Sequence, residues 1–511
     1  MNKELVKWLS SQGWTPEQVM NPVEETGIPS EQLEKFKALV EAHDNIFVAS
    51  DYDVDGIMSQ MLSKATIDKA LDNGCTLLIT ADNGISALET IQYAKDNGLT
   101  VIVTDHHPMV DTLPNADLII HDTRKCGAVI AYYLSCYIDE WRSEYLQYAG
   151  IAVLADSMNS SPASECRRIL IKALWHMNNN ACEQVQACLD ALRLKEVDAE
   201  TLKFKVIPLL NASGRCDTIN CSQLVMDFLV NPQMPLKDYI KRFAGFNDMR
   251  KDLVHMIVDS VRLRKTKANV VVLSVPAMKF MVNGVEIAVT YEHLEGIMGI
   301  VASKLVDKNH KPSFVAVELP DGTFKGSART NGPTSVREVL EGVVHKTSFG
   351  GHPGACGFAF SDFTAFSKDV NKSSAIKEVS SEDVVFVECS PLECINDLRD
   401  LQPFGEGFEA PVFHTNYHCV EANAYFKSGY AKLNGDYELW MMDRDSASMV
   451  ASVFTEETGE VTNNIPTIIK REKCSYREAF QMRAETWKGA MDIEVTITAT
   501  VCDGLQVKYY E

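Results

Sequence analysis

The sequence predicts an α/β protein with a parallel-sheet domain, a helical connector, a smaller α/β domain and a C-terminal β domain. Two observations carry this. Three short apolar runs, Ile46-Phe47-Val48, Leu77-Leu78-Ile79 and Val101-Ile102-Val103, each end in polar, acidic residues and each lead on to a stretch with helical features. That is the signature of β-α units around a parallel sheet. After Asp383 the pattern changes to runs that alternate apolar and polar residues, such as YAKLNGDYELWMMD (430–443) and DIEVTITATVCDG (492–504), which suits a small β domain. A length of 511 residues has room for about three domains, each burying its own core.

The elements follow in order. Residues 1–42 read as helical, with TPEQ (15–18) and PSEQL (29–33) as helix starts in which Thr15 and Ser30 could cap. The three β-α units, and a fourth copy of the pattern in YAGIAVLADSMN (148–159), where Asp156 follows Ile151-Ala152-Val153-Leu154, place the first α/β domain at 43–221. A mostly helical connector follows at 222–267. It carries Arg242, Arg250, Lys251, Arg262, Arg264, Lys265 and Lys267, either a solvated face or a nucleic-acid contact. The second α/β pattern, at 268–365, contains NVVVLSV (269–275) and SFVAVEL (313–319). The polar segment 364–383 reads as a connection or short helix, and the β domain occupies 384–511.

Composition narrows the function. With 46% apolar and 23% charged residues the chain reads as a soluble globular protein, and no apolar run approaches the ~20 residues of a membrane span. The opening MNKELVKWLSSQGW lacks a signal-peptide core, so the expected location is cytoplasmic and no membrane partner is expected. Fourteen cysteines without a CxxC pair point to neither a zinc knuckle nor a disulfide framework. A net charge of −21 argues against indiscriminate nucleic-acid binding through a basic surface, while leaving room for a local basic groove and for bound metal.

In open parallel sheets the ligand site lies beyond the carboxyl ends of the strands. Three carboxylates stand at alternate positions in VASDYDVDGI (48–57). Alone they are equally a metal site or an Asp-rich turn in which Asp55 caps a helix. Collected with the other run ends, the set is Asp51, Asp53, Asp55, Asp82, Asp105, His106, His107 and Asp156. Six carboxylates and two imidazoles suit two divalent ions, with imidazole favouring Mn²⁺ over a pure Mg²⁺ site. Two such ions can share a carboxylate and stabilise an in-line phosphoryl displacement.

DYDVDG (51–56), ADNGIS (81–86), TDHHP (104–108) and ADSM (155–158) resemble the successive motifs of the DHH phosphoesterases, and IPLLNASGR (207–215) resembles a motif of their RecJ-like branch. GIVASKL (299–305), KGSAR (325–329) and FGGHPGACG (349–357) are similar to the associated DHHA1 domain. LQPFGEGFEAPVF (401–413) resembles the opening of that branch's OB-fold. The resemblance runs from about residue 45 to the end of the chain, in the family's order. It implies a metal-dependent 5′→3′ exonuclease acting on single-stranded DNA in repair and recombination. A single-strand-binding protein or helicase would be its partner.

By this pattern Asp53, Asp55, Asp82, His106 and Asp156 would be metal ligands, Asp82 bridging, with Mn²⁺ preferred and Mg²⁺ accepted. His107 would contact the scissile phosphate or a metal; Asp105 and Asp51 complete the catalytic set, with orientation of a ligating histidine as a sound role for Asp105. Arg215, Ser303, Arg329, Gly351 and His352 would hold phosphate or nucleic acid; glycine lets backbone approach a phosphate and arginine can grip one with two bonds. Tyr425, Phe426, Tyr430, Tyr437 and Trp440 could stack bases on an OB-fold. Against the branch's pattern, the stretch between Asp55 and Asp82 and the connection after the DHH strand are short, and EHLEGIM (292–298) stands where Trp-His-Pro is expected. Two other functions compete: a phosphodiesterase on short oligonucleotides or cyclic dinucleotides, and a catalytically silent replication scaffold. The β domain favours a polymeric substrate over the first, and the complete ligand set argues against the second.

Overall fold

The computed structural model describes residues 1–50, 62–109, 112–216, 221–262, 266–377, 385–425, 430–441, 450, 462–463, 484–501 and 505–509. Asp51, Asp53, Asp55, Arg264, Lys265 and Phe426 lie outside the described residues, as do the side chains of Arg215 and Tyr430.

The chain begins with helices α1 (Lys3–Ser11), α2 (Pro16–Met20) and α3 (Ser30–Glu41). Thr15 caps α2 as expected, in a reciprocal arrangement with Gln18. Ser30 does not cap α3: Pro29, with φ −53° and ψ 135°, occupies the cap, so the serine hydroxyl falls one place too late.

Strands β1 (Ile46–Ser50), β2 (Leu77–Ala81), β3 (Thr100–Asp105) and β4 (Leu118–His121) form a parallel sheet in sequential order. Helices α4 (Lys64–Asp72) and α5 (Leu88–Asp96) connect the first three strands, and α6 (Gly127–Ile138) follows the fourth. In register, Ser50 lies beside Ala81, Ala81 beside Thr104, and Asp105 beside His121, so four carboxyl ends share one edge. α3 covers this sheet, with Phe36 packed among Leu77, Ile102, Leu118 and Ile130.

The fourth expected strand is helical: residues 143–155 form α7 (Ser143–Ala155), and Asp156 sits at its C-terminal cap. A four-residue apolar run cannot distinguish a strand from a buried helix, and here the preceding SEYLQYAG extends it into a 13-residue helix buried along most of its length. The fourth strand is instead Leu118–His121. After α7 come α8 (Glu165–Asn180), α9 (Glu183–Leu192), α10 (Ala199–Thr201), a π-helical turn at Leu202–Val206, α11 (Ile207–Cys216), α12 (Cys221–Val230) and the 25-residue α13 (Leu236–Ser260).

The second α/β unit contains β5 (Asn269–Leu273), the hairpin β6 (Lys279–Val282) and β7 (Val285–Ala288), α14 (Tyr291–Asn309), β8 (Ser313–Glu318), β9 (Phe324–Arg329), α15 (Val336–Glu341), β10 (Lys346–His352), β11 (Ala355–Phe360) and α16 (Phe363–Lys372). Its sheet has the order β10-β11-β9-β8-β5, with only β5 and β8 parallel.

After α17 (Ile395–Leu401), strands β12 (Val412–Tyr425), β13 (Tyr430–Gly435), β14 (Glu438–Met441), β15 (Thr462–Asn463), β16 (Ala484–Val501) and β17 (Leu505–Tyr509) form the last sheet. The pairing of β12 with β16 closes β12-β13-β14-β17-β16 into a five-stranded barrel, which fits an OB-like domain. Its core is completed from the other end of the chain: Leu5, Trp8, Leu9 and Val19 are buried with Leu398, Phe408, Phe413 and Tyr417. The backbone N–H of Asn2 donates to Asp397 at 2.6 Å.

Candidate metal centre

The edge of the first sheet gathers the candidate ligands by backbone geometry. Asp82, the residue after β2, holds φ +63°, a left-handed conformation that turns the chain sharply, and its N–H bonds to Thr104 O at 3.0 Å. The turn continues through Gly84, at φ +109°, where a Cβ would lie 2.7 Å from Thr80 Oγ1. Asp156 is presented differently. Ser157 after it takes φ +52°, and Met158 N–H reaches back to Val153 O at 2.9 Å, closing the end of α7 so that the aspartate projects from it.

These turns bring two carboxylates to one imidazole. His106 Nε2 lies 3.0 Å from Asp82 Oδ1 and 3.6 Å from Asp156 Oδ2. Asp82, His106 and His107 each offer a ligand atom within 4.8 Å of the others. The fit to a divalent ion follows from donor chemistry. Carboxylate oxygens and an imidazole nitrogen, mostly buried and drawn together at a sheet edge, are the mixed O/N donors that Mn²⁺ accepts. β1 delivers the chain to the same edge at Ser50, immediately before Asp51, Asp53 and Asp55.

Asp105 does not point at this cluster as a free ligand. Its carboxylate accepts from the backbone N–H groups of Ile85 (2.8 Å), His106 (2.7 Å) and His107 (3.1 Å), and pairs with His107 Nδ1 at 2.8 Å. Burial alone would raise its pKa. The His107 side chain and the backbone donors outweigh burial and hold it below the usual carboxylate range. Asp105 is thus a brace joining β3 to the loop after β2. His107 is half exposed, and its Nε2 is the ring nitrogen that Asp105 does not engage. The hydrogen bond to Asp105, against the cost of burial and with help from the Asp105, Asp82 and Asp156 charges, raises its pKa to about 9.

Other residues at this edge carried no recognisable motif. Gly127, at the start of α6, has Asp82 Cβ only 2.5 Å from where its own Cβ would stand. His121 Nε2 lies 2.7 Å from the His107 carbonyl. Lys125, fully buried, is 2.6 Å from Asp122 and 3.3 Å from Glu165. Gly127 could have been sought as a glycine opening a helix after a strand. The other two depend on contacts that only the fold creates.

In the second α/β unit, Arg329 and His352 flank Ala355 in register across three adjacent strands. Arg329 Nη1 donates to Ser327 Oγ at 2.6 Å, and a Cβ on Gly299 would stand 2.6 Å from Arg329 Nη2. Ser303, one turn along α14, donates to Gly299 O at 3.1 Å. Gly351 takes φ +130°, and its carbonyl accepts from Arg337 at 2.7 Å. Arg215 stands on α11. Among the aromatics of the barrel, the Tyr437 ring packs on Tyr417 (ring centroids 4.9 Å apart), a core role, while Trp440 is half-buried beneath Lys432, 5.2 Å from its ring.

Residues 45–155 match the DHH family, N-terminal domain, and residues 283–380 match the DHHA1 domain. A single-stranded-DNA-specific exonuclease RecJ of Haemophilus influenzae is 24% identical over 492 residues, covering 83% of this chain and 82% of its own length. The protein of the same name from Salmonella typhimurium is 26% identical over 406 residues, with coverage of 70% and 68%. The crystal structure of RecJ in complex with Mn²⁺ from Thermus thermophilus superposes with a TM-score of 0.70 at 19% identity, over 99% of this chain and 75% of that one, so the two share a fold. A Mg²⁺ complex of the same protein gives a TM-score of 0.62 at 18% identity, over 99% and 73%.

Proposed function

With a DHH-family domain followed by a DHHA1 domain, this chain is a RecJ-like member of the DHH family, and on that premise we propose that it is a metal-dependent exonuclease that hydrolyses single-stranded DNA from the 5′ end. The observation that carries the reading is the approach of Asp82 and Asp156 to one imidazole nitrogen at the sheet edge.

In this reading Asp82, His106 and Asp156, with Asp53 and Asp55, hold two divalent ions, Mn²⁺ by preference and Mg²⁺ as an alternative. Bound there, the ions supply charge stabilisation to the phosphoryl oxygens and lower the pKa of the attacking water. The chain's own groups do the rest. His107, oriented by Asp105 through Nδ1, presents its Nε2 to the scissile phosphate or to a metal. Asp51 belongs to the same set. Ser303, Arg329, Gly351 and His352, with Arg215, hold the phosphates of the strand in place. The water oxygen bonds to phosphorus as the water gives up a proton, the P–O bond to the neighbouring nucleotide breaks, and a proton passes to the departing oxygen, so that one water is divided between the two products.

The proposal keeps the domain bounds 43–221, 222–267, 268–365 and 384–511, while the segment 1–42 divides between the barrel and the first sheet. It includes a cytoplasmic setting and a single-strand-binding protein or helicase as supplier of the substrate. Among the described residues no helix is long and apolar enough to cross a membrane.

The test is product length against time on a 5′-labelled single strand with Mn²⁺. Early release of the label as mononucleotide is expected. A ladder of shortened, still-labelled strands would establish attack from the 3′ end, and an intact strand with folded protein would remove the nuclease reading altogether.

A further inference from the structure

Asp156 is the one described ligand that does not follow a strand, and its short segment is held from an unexpected direction. Four residues after it, Ser160 is fully buried. Its N–H and Oγ both donate to Glu406 O, at 2.8 and 3.2 Å. Gly405 lies so close that a Cβ there would stand 2.5 Å from Ser160 Oγ, and a Cβ on Gly407 would meet Asn159 Oδ1 at 3.0 Å. The loop 401–408, which runs from the last residue of α17 into the barrel, therefore sits directly on the segment 156–160.

Arg167 on α8 ties the two together. It has no solvent exposure, and among the described residues it forms no salt bridge. Nη1 donates to Pro403 O at 2.6 Å and to Ser160 O at 3.3 Å, Nη2 donates to Leu401 O at 2.7 Å, and the guanidinium lies 4.7 Å from the centre of the Phe408 ring. A buried cation is costly unless its protons are satisfied. Two of these three carbonyls belong to the loop, so withdrawing the loop would leave Arg167 with one partner, the one on the Asp156 segment. The loop and that segment must keep their places together.

We propose that Arg167 is a positioning residue which, by clamping Ser160 to the loop 401–408, sets the place of Asp156, so that the barrel domain supports the metal centre as well as the substrate strand. This rests on Asp156 being a metal ligand. Changes to residues that orient ligands typically cost about 10–100-fold in metal affinity or activity, and that range is expected here.

The experiment measures Mn²⁺ binding to the full chain directly, by the electron paramagnetic resonance signal of free Mn²⁺, together with single-strand DNA affinity in EDTA and the unfolding temperature. Arg167→Met should weaken Mn²⁺ binding by at least ~10-fold while DNA affinity in EDTA stays within about twofold. Because removing a buried arginine can also lower overall stability, Gly405→Ala provides an independent arm. Its new methyl presses on Ser160 Oγ and should weaken Mn²⁺ binding, and adding Ser160→Ala, which removes that oxygen, should restore it. Wild-type Mn²⁺ affinity in folded Arg167→Met, or in Gly405→Ala, overturns the proposal, as does failure of the second substitution to rescue. Asp156→Asn separates the two levels. If it binds Mn²⁺ like the wild type, the ligand assignment fails; if it loses Mn²⁺ while the Arg167 and Gly405 variants do not, only the clamp fails.

Discussion

Asp82 combines a candidate ligand with a backbone conformation, φ +63°, that costs an ordinary L-residue about 1–2 kcal/mol. Asparagine tolerates this conformation well and matches the shape of the side chain. Asp82→Asn should therefore unfold within about two degrees of the wild type while hydrolysis falls by at least ~10³-fold; a folded variant within tenfold of wild-type activity would rule out the two-metal site. Gly127→Ala probes the same residue from outside. Its Cβ would meet Asp82 Cβ at 2.5 Å, a distance that flexible side-chain ends cannot relieve because both atoms are fixed to backbone. A loss of about 10²-fold in kcat, with single-strand affinity in EDTA retained, is expected. Unchanged kcat would mean that α6 does not constrain Asp82. The motif residues Asp82, Asp105, His106, His107 and Asp156 stood out in the sequence because metal chemistry calls for such types, and the structure gathers them at one sheet edge. Gly127 and Arg167 did not stand out, because a missing methyl and a run of carbonyl partners leave no pattern along the chain.

At the level of elements, the parallel sheet was legible from three apolar runs with acidic ends. The misread fourth run shows the limit of that signal: Ile151-Ala152-Val153-Leu154 has the composition of a strand, and only its length in context makes it helix. The turn into α6 illustrates another contribution that the sequence hides. Lys125 is buried between Asp122 and Glu165, and Thr26 donates to Glu165 through both its N–H (3.1 Å) and its Oγ1 (2.6 Å). Burial would raise both carboxylate pKa values; the Arg124 and Lys125 bonds to Asp122, and the Thr26 bonds and Lys125 charge at Glu165, lower them instead. A depressed carboxylate contributes stability above its unfolded pKa of about 4 and loses it as pH falls through the folded value. Lys125→Met should thus lower the unfolding temperature clearly at pH 7, where two carboxylates lose their partner, and the gap to the wild type should narrow as pH falls below about 4. A gap that stays constant with pH would show that the lysine acts only by packing.

For the whole molecule, the barrel was legible in outline from alternating residues, but its completion was not. Residues 1–42 read as helical without revealing that the buried face of α1 packs into the barrel. Leu5, Trp8, Leu9 and Val19 are each nearly or fully buried there, and burying a large apolar side chain is worth about 1.5–3 kcal/mol. Deleting residues 1–22 should accordingly make the barrel melt earlier and become sensitive to limited proteolysis. Because the loop 401–408 shares that core through Phe408, Mn²⁺ affinity should fall with it. A deletion variant with the wild-type melting and cleavage pattern would show that α1 and α2 are dispensable.

The pairing of Asn2 with Asp397 spans 395 positions. At about 5–20 residues per second, a ribosome takes roughly 20–80 s to make the rest of that contact after the first residues emerge. Throughout that time Trp8 and its neighbours wait on the nascent chain without the wall they will cover, and the barrel strands beyond residue 412 have yet to be made. The first sheet, whose contacts lie close together along the chain, can form during synthesis, but the barrel can close only after β16 and β17 have been translated. The interval leaves the apolar face of α1 exposed to chaperones or to neighbouring nascent chains on the same message, and the Asp156 clamp can form only once the segment 401–408 has been made.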